Sequence, residues 1–328
     1  MIAAGWIAAG IAAVLAVVLG GLALFSAWTA RQVERRVPPR GRFIDIDGAR
    51  IHYLDEGTGP PLLLIHGLSG QMHNFTHSLL GRLTRHHRVV ILDRPGSGYS
   101  TRAPGASAAI AVQARTIARF AQELGLARPL VVGHSLGGAI ALSLALDHPG
   151  VVGGLALMAP VTHPQPRVPQ PFQRLAVRSP LVRALIAWTL AVPMSIASRK
   201  HVLDVLFGSQ PAPADFAIRG GALLALRPSS FFGASSDLVA AADDLTAMPA
   251  RYRELAMPVG ILYGTADRIL DPAVHGEAFA AKLPGVDFEL IEDGSHMILI
   301  SSADRAAAFI ARMAQRVATA DAAPAPVA

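Results

Sequence analysis

Residues 129–138 read Pro-Leu-Val-Val-Gly-His-Ser-Leu-Gly-Gly, and this stretch decides the fold. Leu130, Val131 and Val132 form a short apolar run. Gly133-His134-Ser135-Leu136-Gly137 follows it, and an alanine- and leucine-rich segment comes next. The pattern predicts strand, sharp turn, helix, with Ser135 at the apex. A serine raised on so tight a turn has a strained backbone, and the positions two residues to either side must lack side chains. Gly133 and Gly137 stand at those positions. The helix that starts after Ser135 turns its first N–H groups towards the serine, which suits an oxyanion there.

Outward from this stretch, short apolar runs alternate with helical segments. Phe43–Gly48 and Arg50–Leu54 alternate around Asp47-Gly48 and predict a hairpin. Pro61–Ile65 and Val89–Leu92 are continuous apolar runs, as in strands buried on both faces of a parallel sheet. The first ends in the loop His66-Gly67-Leu68-Ser69-Gly70, before a helix predicted over about 72–83. The second ends in the Gly- and Pro-dense turn Asp93–Ser100. Ile110–Leu124 has helical spacing with Gly125 as its stop, and Gly154–Met158 is the next strand. This alternation predicts an α/β fold with a mostly parallel sheet covered by helices on both faces.

The alternation breaks between Ala159 and about Ser235. There the chain becomes rich in proline and carries apolar helical segments at Leu181–Leu190 and Phe216–Leu226, which predicts an inserted helical lid. It resumes with a strand at Val259–Tyr263, a helix over about 273–283, a strand at Asp287–Ile291 and a last helix over about 303–317. The expected organisation is an anchor at 1–30, a polar connector at 31–41, core at 42–159, lid at 160–235, core at 236–320 and a disordered Ala/Pro-rich tail at 321–328. There is no internal repeat.

The chain has 328 residues, a formal net charge of +6 and no cysteine, which excludes disulfides, thiolate chemistry and cysteine-ligated zinc. Its arginines are scattered, with no dense basic patch interleaved with aromatics, so no nucleic-acid partner is expected. Ile2–Ala30 holds no charged residue, and Ser26 and Thr29 are its only hydroxyl side chains. About 20 helical residues cross a hydrocarbon core of about 30 Å, so this stretch suffices for a single-pass anchor. No basic residue precedes the apolar run and no compact cleavage site follows it, which favours an anchor over a cleaved signal peptide. Arg31, Arg35, Arg36, Arg40 and Arg42 all follow the span, which places the C-terminal domain on the cytoplasmic side by the positive-inside rule.

A serine hydroxyl becomes a useful nucleophile when a base takes its proton, and that base needs an orienting carboxylate. Asp267 lies just past the strand at Val259–Tyr263, and His296 just past the strand at Asp287–Ile291. Strand ends at one edge of a parallel sheet converge, so Ser135, Asp267 and His296 can meet. Asp271 is a nearby rival acid. His73 and His77 are spaced i, i+4 on one helix face, yet no third ligand stands out, so neither a metal nor a cofactor is implied.

From about Phe43 to Val317 the chain resembles the α/β-hydrolase superfamily, in the esterase- and lipase-like branch with a helical cap between strands six and seven. The resemblance rests on His66-Gly67, Asp93–Ser100, the Gly133–Gly137 elbow, Gly264–Asp267 and Gly294-Ser295-His296, five motifs in family order. It implies an oxyanion hole made by the backbone N–H groups of Leu68 and Leu136, with His66, Gly67, Gly133 and Gly137 supporting it, and a structural role for Asp93–Ser100. Epoxide hydrolases and haloalkane dehalogenases of that branch use an aspartate at the elbow, and Ser135 argues against both. The leading expectation is a membrane-anchored serine hydrolase acting on a small-molecule carboxylic ester, with a lipid-like acyl chain favoured by the apolar lid. A C–C bond hydrolase or cofactor-free perhydrolase on the same triad, and a non-catalytic membrane-tethered binding protein, are the alternatives. Oligomeric state is left open.

Overall fold

The computed structural model describes residues 2–322, and eight strands in it form one sheet. In chain order they are β1 (Arg42–Ile46), β2 (Ala49–Glu56), β3 (Pro61–Ile65), β4 (Arg88–Leu92), β5 (Leu130–His134), β6 (Gly154–Met158), β7 (Val259–Gly264) and β8 (Asp287–Ile291). Their spatial order is β1-β2-β4-β3-β5-β6-β7-β8. β1, β2 and β4 pair antiparallel, and every pair from β4 to β8 is parallel. The β1–β2 hairpin turns through Asp47 (φ 49°) and Gly48 (φ 81°), the two positive φ values that a two-residue turn of this hand requires. β5 and β6 are buried at every position, as strands covered on both faces must be.

The helices are α1 (Ile2–Arg36), α2 (Ile110–Glu123), α3 (Leu136–Asp147), α4 (Pro180–Trp188), α5 (Ala191–Phe207), α6 (Pro228–Ala247) and α7 (Ala303–Ala322), with shorter turns between them. Chain order reverses at β3, which pairs with β4 on one side and β5 on the other. Such a switch point opens a crevice at the C-terminal ends of the strands. The His66–Gly70 loop leaves β3 there and the Ser135 turn leaves β5.

The structure revises several boundaries. α1 continues unbroken through Arg36, and Val33 and Val37 are buried in a small apolar cluster with Leu224. Residues 31–41 are therefore not a free connector, because the packing of Val33 and Val37 keeps the last turns helical. The helical insertion between β6 and β7 does not end near residue 235, since α6 runs across that position. α6 buries Ser235, Ser236 and Asp237, a polar face that hydrophobic patterning cannot mark. Phe216–Leu226 is a turn ending in a 3₁₀ segment (Ala222–Leu226), broken by Gly221 at φ 71°. The helix expected over 72–83 is two single turns, His73–Thr76 and Leu80–Leu83, and that over 273–283 is a π turn (Ala273–Glu277) and a short α turn. Residues 321 and 322 belong to α7, and the remainder of the expected tail, 323–328, lies outside the described residues. α1 is long and apolar enough to cross a membrane by length and composition.

Candidate active site

Ser135 sits between the end of β5 and the first turn of α3, at φ 55°, ψ −122°, a conformation that costs a non-glycine residue of order 1–3 kcal/mol. Close packing explains the flanking glycines. A Cβ on Gly137 would lie 2.1 Å from the Ile65 carbonyl oxygen, and one on Gly133 would lie 2.7 Å from the Gly137 oxygen. The end of β3 is thus pressed against the start of α3. A Cβ on Gly67 would come within 2.8 Å of the Ser135 Cβ, which places the loop after β3 directly against the serine.

His296 follows β8 and Asp267 follows β7. The His296 Nδ1 and Asp267 Oδ2 atoms are 2.8 Å apart, and both side chains are buried. The other carboxylate oxygen, Oδ1, accepts the N–H of Ile269 (2.8 Å) and Leu270 (3.0 Å). Burial pushes the Asp267 carboxyl up, but the His296 charge and these hydrogen bonds outweigh it and hold the group below its ordinary value. Asp271 instead accepts the Ala273 N–H and starts the following turn. His134 ties the two halves of the site together, with its Nε2 3.0 Å from the His296 carbonyl oxygen. The ring is neutral in this setting, because burial, followed by the neighbouring His296, lowers its pKa to about 3. His296 is thereby held beside the residue that precedes Ser135.

The Gly67 carbonyl oxygen accepts three donors: the Gly70 N–H (3.2 Å), the His66 ring Nδ1–H (2.9 Å) and Arg94 Nη2 (3.0 Å). In a trans peptide the N–H of the next residue points opposite to that carbonyl, so the Leu68 N–H is aimed away from Arg94. It donates to no acceptor among the described residues, and the Leu136 N–H, in the first turn of α3, also lacks one. His66 Nε2 accepts the Arg94 N–H (3.0 Å), which assigns the proton to Nδ1, and burial lowers this ring to about 3 as well.

Arg94 is the residue that sequence reasoning missed. It is fully buried, donates to the His66 and Gly67 carbonyls, to Gln113, and to Asp237 Oδ2 (2.8 Å) on α6. Asp237 is also bonded to Arg102. An arginine inside a Gly/Pro turn carries no pattern that points to an aspartate 143 residues further on. The rest of the Asp93–Ser100 turn is structural: Asp93 binds His52 (2.7 Å) and the N–H groups of Met72 and Tyr99. His73 bonds Gln71 and His77 bonds Ser78 and Asp215, so neither faces the other as a ligand pair. Surface hollows of about 500 Å³ beside Arg82 and about 530 Å³ beside His148 are lined by none of the site residues. Ser135 itself is 7% exposed, closed over by its surroundings.

Comparison with known proteins follows the same lines. A family model described as the alpha/beta hydrolase fold matches residues 60–184. The acetyltransferase component of the acetoin-cleaving system of Cupriavidus necator is 31% identical over 274 residues, covering 80% of this chain and 66% of that one. Haloalkane dehalogenase 2 of Mycobacterium tuberculosis is 40% identical over 125 residues, 37% of this chain and 42% of the enzyme. The chain thus spans about two thirds or less of the length of these curated relatives. Among solved structures, a membrane phospholipase A described as a bacterial virulence factor superposes with a TM-score of 0.69 at 27% identity, covering 96% of this chain and 99% of that one.

Proposed function

We propose that this chain, which belongs to the α/β-hydrolase superfamily, is a membrane-anchored serine hydrolase that cleaves a carboxylic ester carrying an acyl chain. The observation that carries the reading is the strained Ser135 turn tied by His134 to the bonded His296–Asp267 pair. Asp267 accepts the His296 Nδ1–H and so leaves Nε2 free to act as base. His296 takes the Ser135 hydroxyl proton as the oxygen attacks the ester carbonyl. The tetrahedral oxyanion is received by the Leu68 and Leu136 N–H groups, each such donor contributing about 10²–10³-fold in rate. As the C–O bond breaks, His296 returns the proton to the departing alcohol. Water, deprotonated by the same histidine, then releases the acid and restores Ser135.

Several features support a lipid-like substrate. α1 is apolar over a membrane-crossing length, the insertion between β6 and β7 reaches the site's surroundings through Asp237 on Arg94 and the Leu206 carbonyl on the Met297 N–H, and the similar structure named above is a membrane phospholipase. Ser135 at the elbow argues against the halide-displacing chemistry of the dehalogenase relative. The insertion acts as a lid, since a site so closed admits substrate when the segment shifts. The arginines after α1 favour a cytoplasmic-facing domain, and a reporter fused to the C-terminus tests that orientation.

The decisive experiment uses the full chain in lipid nanodiscs with Ser135→Ala beside it. Fluorophosphonate labelling and hydrolysis of p-nitrophenyl esters from two to sixteen carbons (~2–16, spanning soluble to lipid-like chains) are measured. Labelling and turnover lost by at least about 10³-fold in the variant support the serine mechanism. Absence of labelling in the wild type sinks it, and a preference for the two-carbon ester sinks the lipid reading.

A further inference from the structure

α4 is built inside out for a protein in water. Leu181, Leu185 and Trp188 lie at i, i+4 and i+7, one helix face. They are 84%, 53% and 50% exposed, while Arg183 on the opposite face is 6% exposed. The buried guanidinium is fully engaged, donating to Ser235 Oγ (2.9 Å), Ser236 Oγ (2.8 Å) and the Val177 carbonyl (2.7 Å). A surface helix in water turns its leucines in and its arginine out. An apolar stripe that includes a tryptophan, left outside while an arginine is sequestered, marks a surface meant for another apolar phase.

The position of α1 identifies that phase. Residues 4–21 of α1 are almost entirely exposed, about 18 residues or roughly 27 Å of helix, close to the thickness of a hydrocarbon core. From Leu22 onward α1 packs on the domain: Ser26, Thr29 and Val33 are buried, and the elements seated against it are α4, α5, α6 and the Ala222–Leu226 turn. Its far end is pinned by the Tyr99 hydroxyl to the Val37 carbonyl and by Arg227 to Glu34. The outer side of this docked half stays apolar, with Leu24, Phe25 and Trp28 exposed. α1 is thus fixed to the domain along its second half, and α4 packs against it.

On the reading that α1 spans a bilayer, we propose that the Leu181–Leu185–Trp188 face of α4 is a second membrane contact, seated in the same leaflet interface as Trp28. The occupant is the lipid surface. Three observations favour it: the apolar stripe lies on a helix packed against α1, tryptophan suits the interface, and the exposed Arg174 and Arg178 just before α4 suit anionic headgroups. The lid helix would then rest on the lipid from which an acyl ester is drawn.

The chain has three tryptophans, Trp6, Trp28 and Trp188, so each is readable alone. The full chain is placed in nanodiscs of dioleoyl phosphatidylcholine and phosphatidylglycerol, with or without brominated phosphatidylcholine as quencher. In W6F/W28F, Trp188 emission should be blue-shifted and reduced by roughly half by the bromolipid, as expected of an interfacial tryptophan. Adding Leu181→Glu and Leu185→Glu should abolish that quenching. In W28F/W188F, Trp6 should be quenched, which reports on the anchor alone. Trp188 unquenched beside a quenched Trp6 would overturn the proposal and leave the anchor standing. Trp188 unquenched by lipid yet shielded from acrylamide would mean that a second protein copy covers the face, and would overturn it equally. An unquenched Trp6 would remove the anchor reading and the proposal with it.

Discussion

Helices α3 and α4 are drawn from similar residues and are buried in opposite ways. α3 is Leu-Gly-Gly-Ala-Ile-Ala-Leu-Ser-Leu-Ala-Leu-Asp, and its first eleven residues are all buried. α4 is Pro-Leu-Val-Arg-Ala-Leu-Ile-Ala-Trp, and its buried residues are Arg183 and Ala187. Apolar composition alone therefore predicts no direction. α3 is held between the sheet and its neighbouring helices, so every side finds protein. α4 finds protein on one side only, and that side offers the hydroxyls of Ser235 and Ser236, which an arginine satisfies and a leucine does not. The difference teaches that a helix takes its inward face from the chemistry of what it lies against.

That contrast can be broken from the α3 side most forcefully. Gly137→Ala puts a Cβ 2.1 Å from the Ile65 oxygen and 2.6 Å from the His66 oxygen, both backbone, so the clash cannot be relieved by a rotamer. It should cost about 3 kcal/mol or more and disrupt the Ser135 turn, read as loss of folded yield in detergent and of fluorophosphonate labelling.

Leu142→Ala, in the middle of α3 and fully buried, should cost about 2–5 kcal/mol, read as a lowered thermal midpoint in detergent.

Acid tests the buried surroundings of α3 in another way. His66 and His134 titrate near 3 when folded and near 6.5 when unfolded, so the unfolded chain binds more protons between those values. The stability their neutral burial supports is present above pH 6.5 and falls as pH drops towards 3, by about 1.4 kcal/mol per pH unit for each ring. A thermal midpoint that does not fall between pH 6.5 and 4 would contradict the neutral assignment.

On the α4 side, Arg183→Met removes the donors to the Val177 carbonyl and to the Ser235 and Ser236 hydroxyls, which keep the Leu175 and Phe232 carbonyls as acceptors, and should cost about 1–3 kcal/mol, which would establish that the inward arginine is structural. Leu181→Gln, on the exposed stripe, should stay within about 0.5 kcal/mol of wild type in the same thermal assay. A large effect there would mean that this face is packed against protein.

Much of the candidate site could be read in the chain itself. Ser135 needed only its flanking glycines, strand and helix to be placed. Asp267 and His296 needed only their positions past β7 and β8, since parallel strands deliver their C-terminal ends to one edge. Arg94 was illegible because its partners, two backbone carbonyls and Asp237, come from segments that no local pattern connects. The end of the insertion was misplaced for a related reason: α6 packs through Ser235, Ser236 and Asp237, and polar burial leaves no periodic trace.

What the sequence by itself determined, then, is the alternation of strands and helices, the sharp turn under Ser135, the order of serine, acid and histidine, and an apolar stretch long enough for a membrane. These are local properties, set by side-chain period, backbone freedom and length. The tertiary structure alone decided that the Gly67 carbonyl is held by Arg94, that Arg94 is in turn anchored to the insertion, that α1 docks on the domain past Leu22, and that α4 turns its leucines outward. Each of these depends on which distant surface a residue meets, and burial, hydrogen bonding and charge pairing take their energies from that meeting.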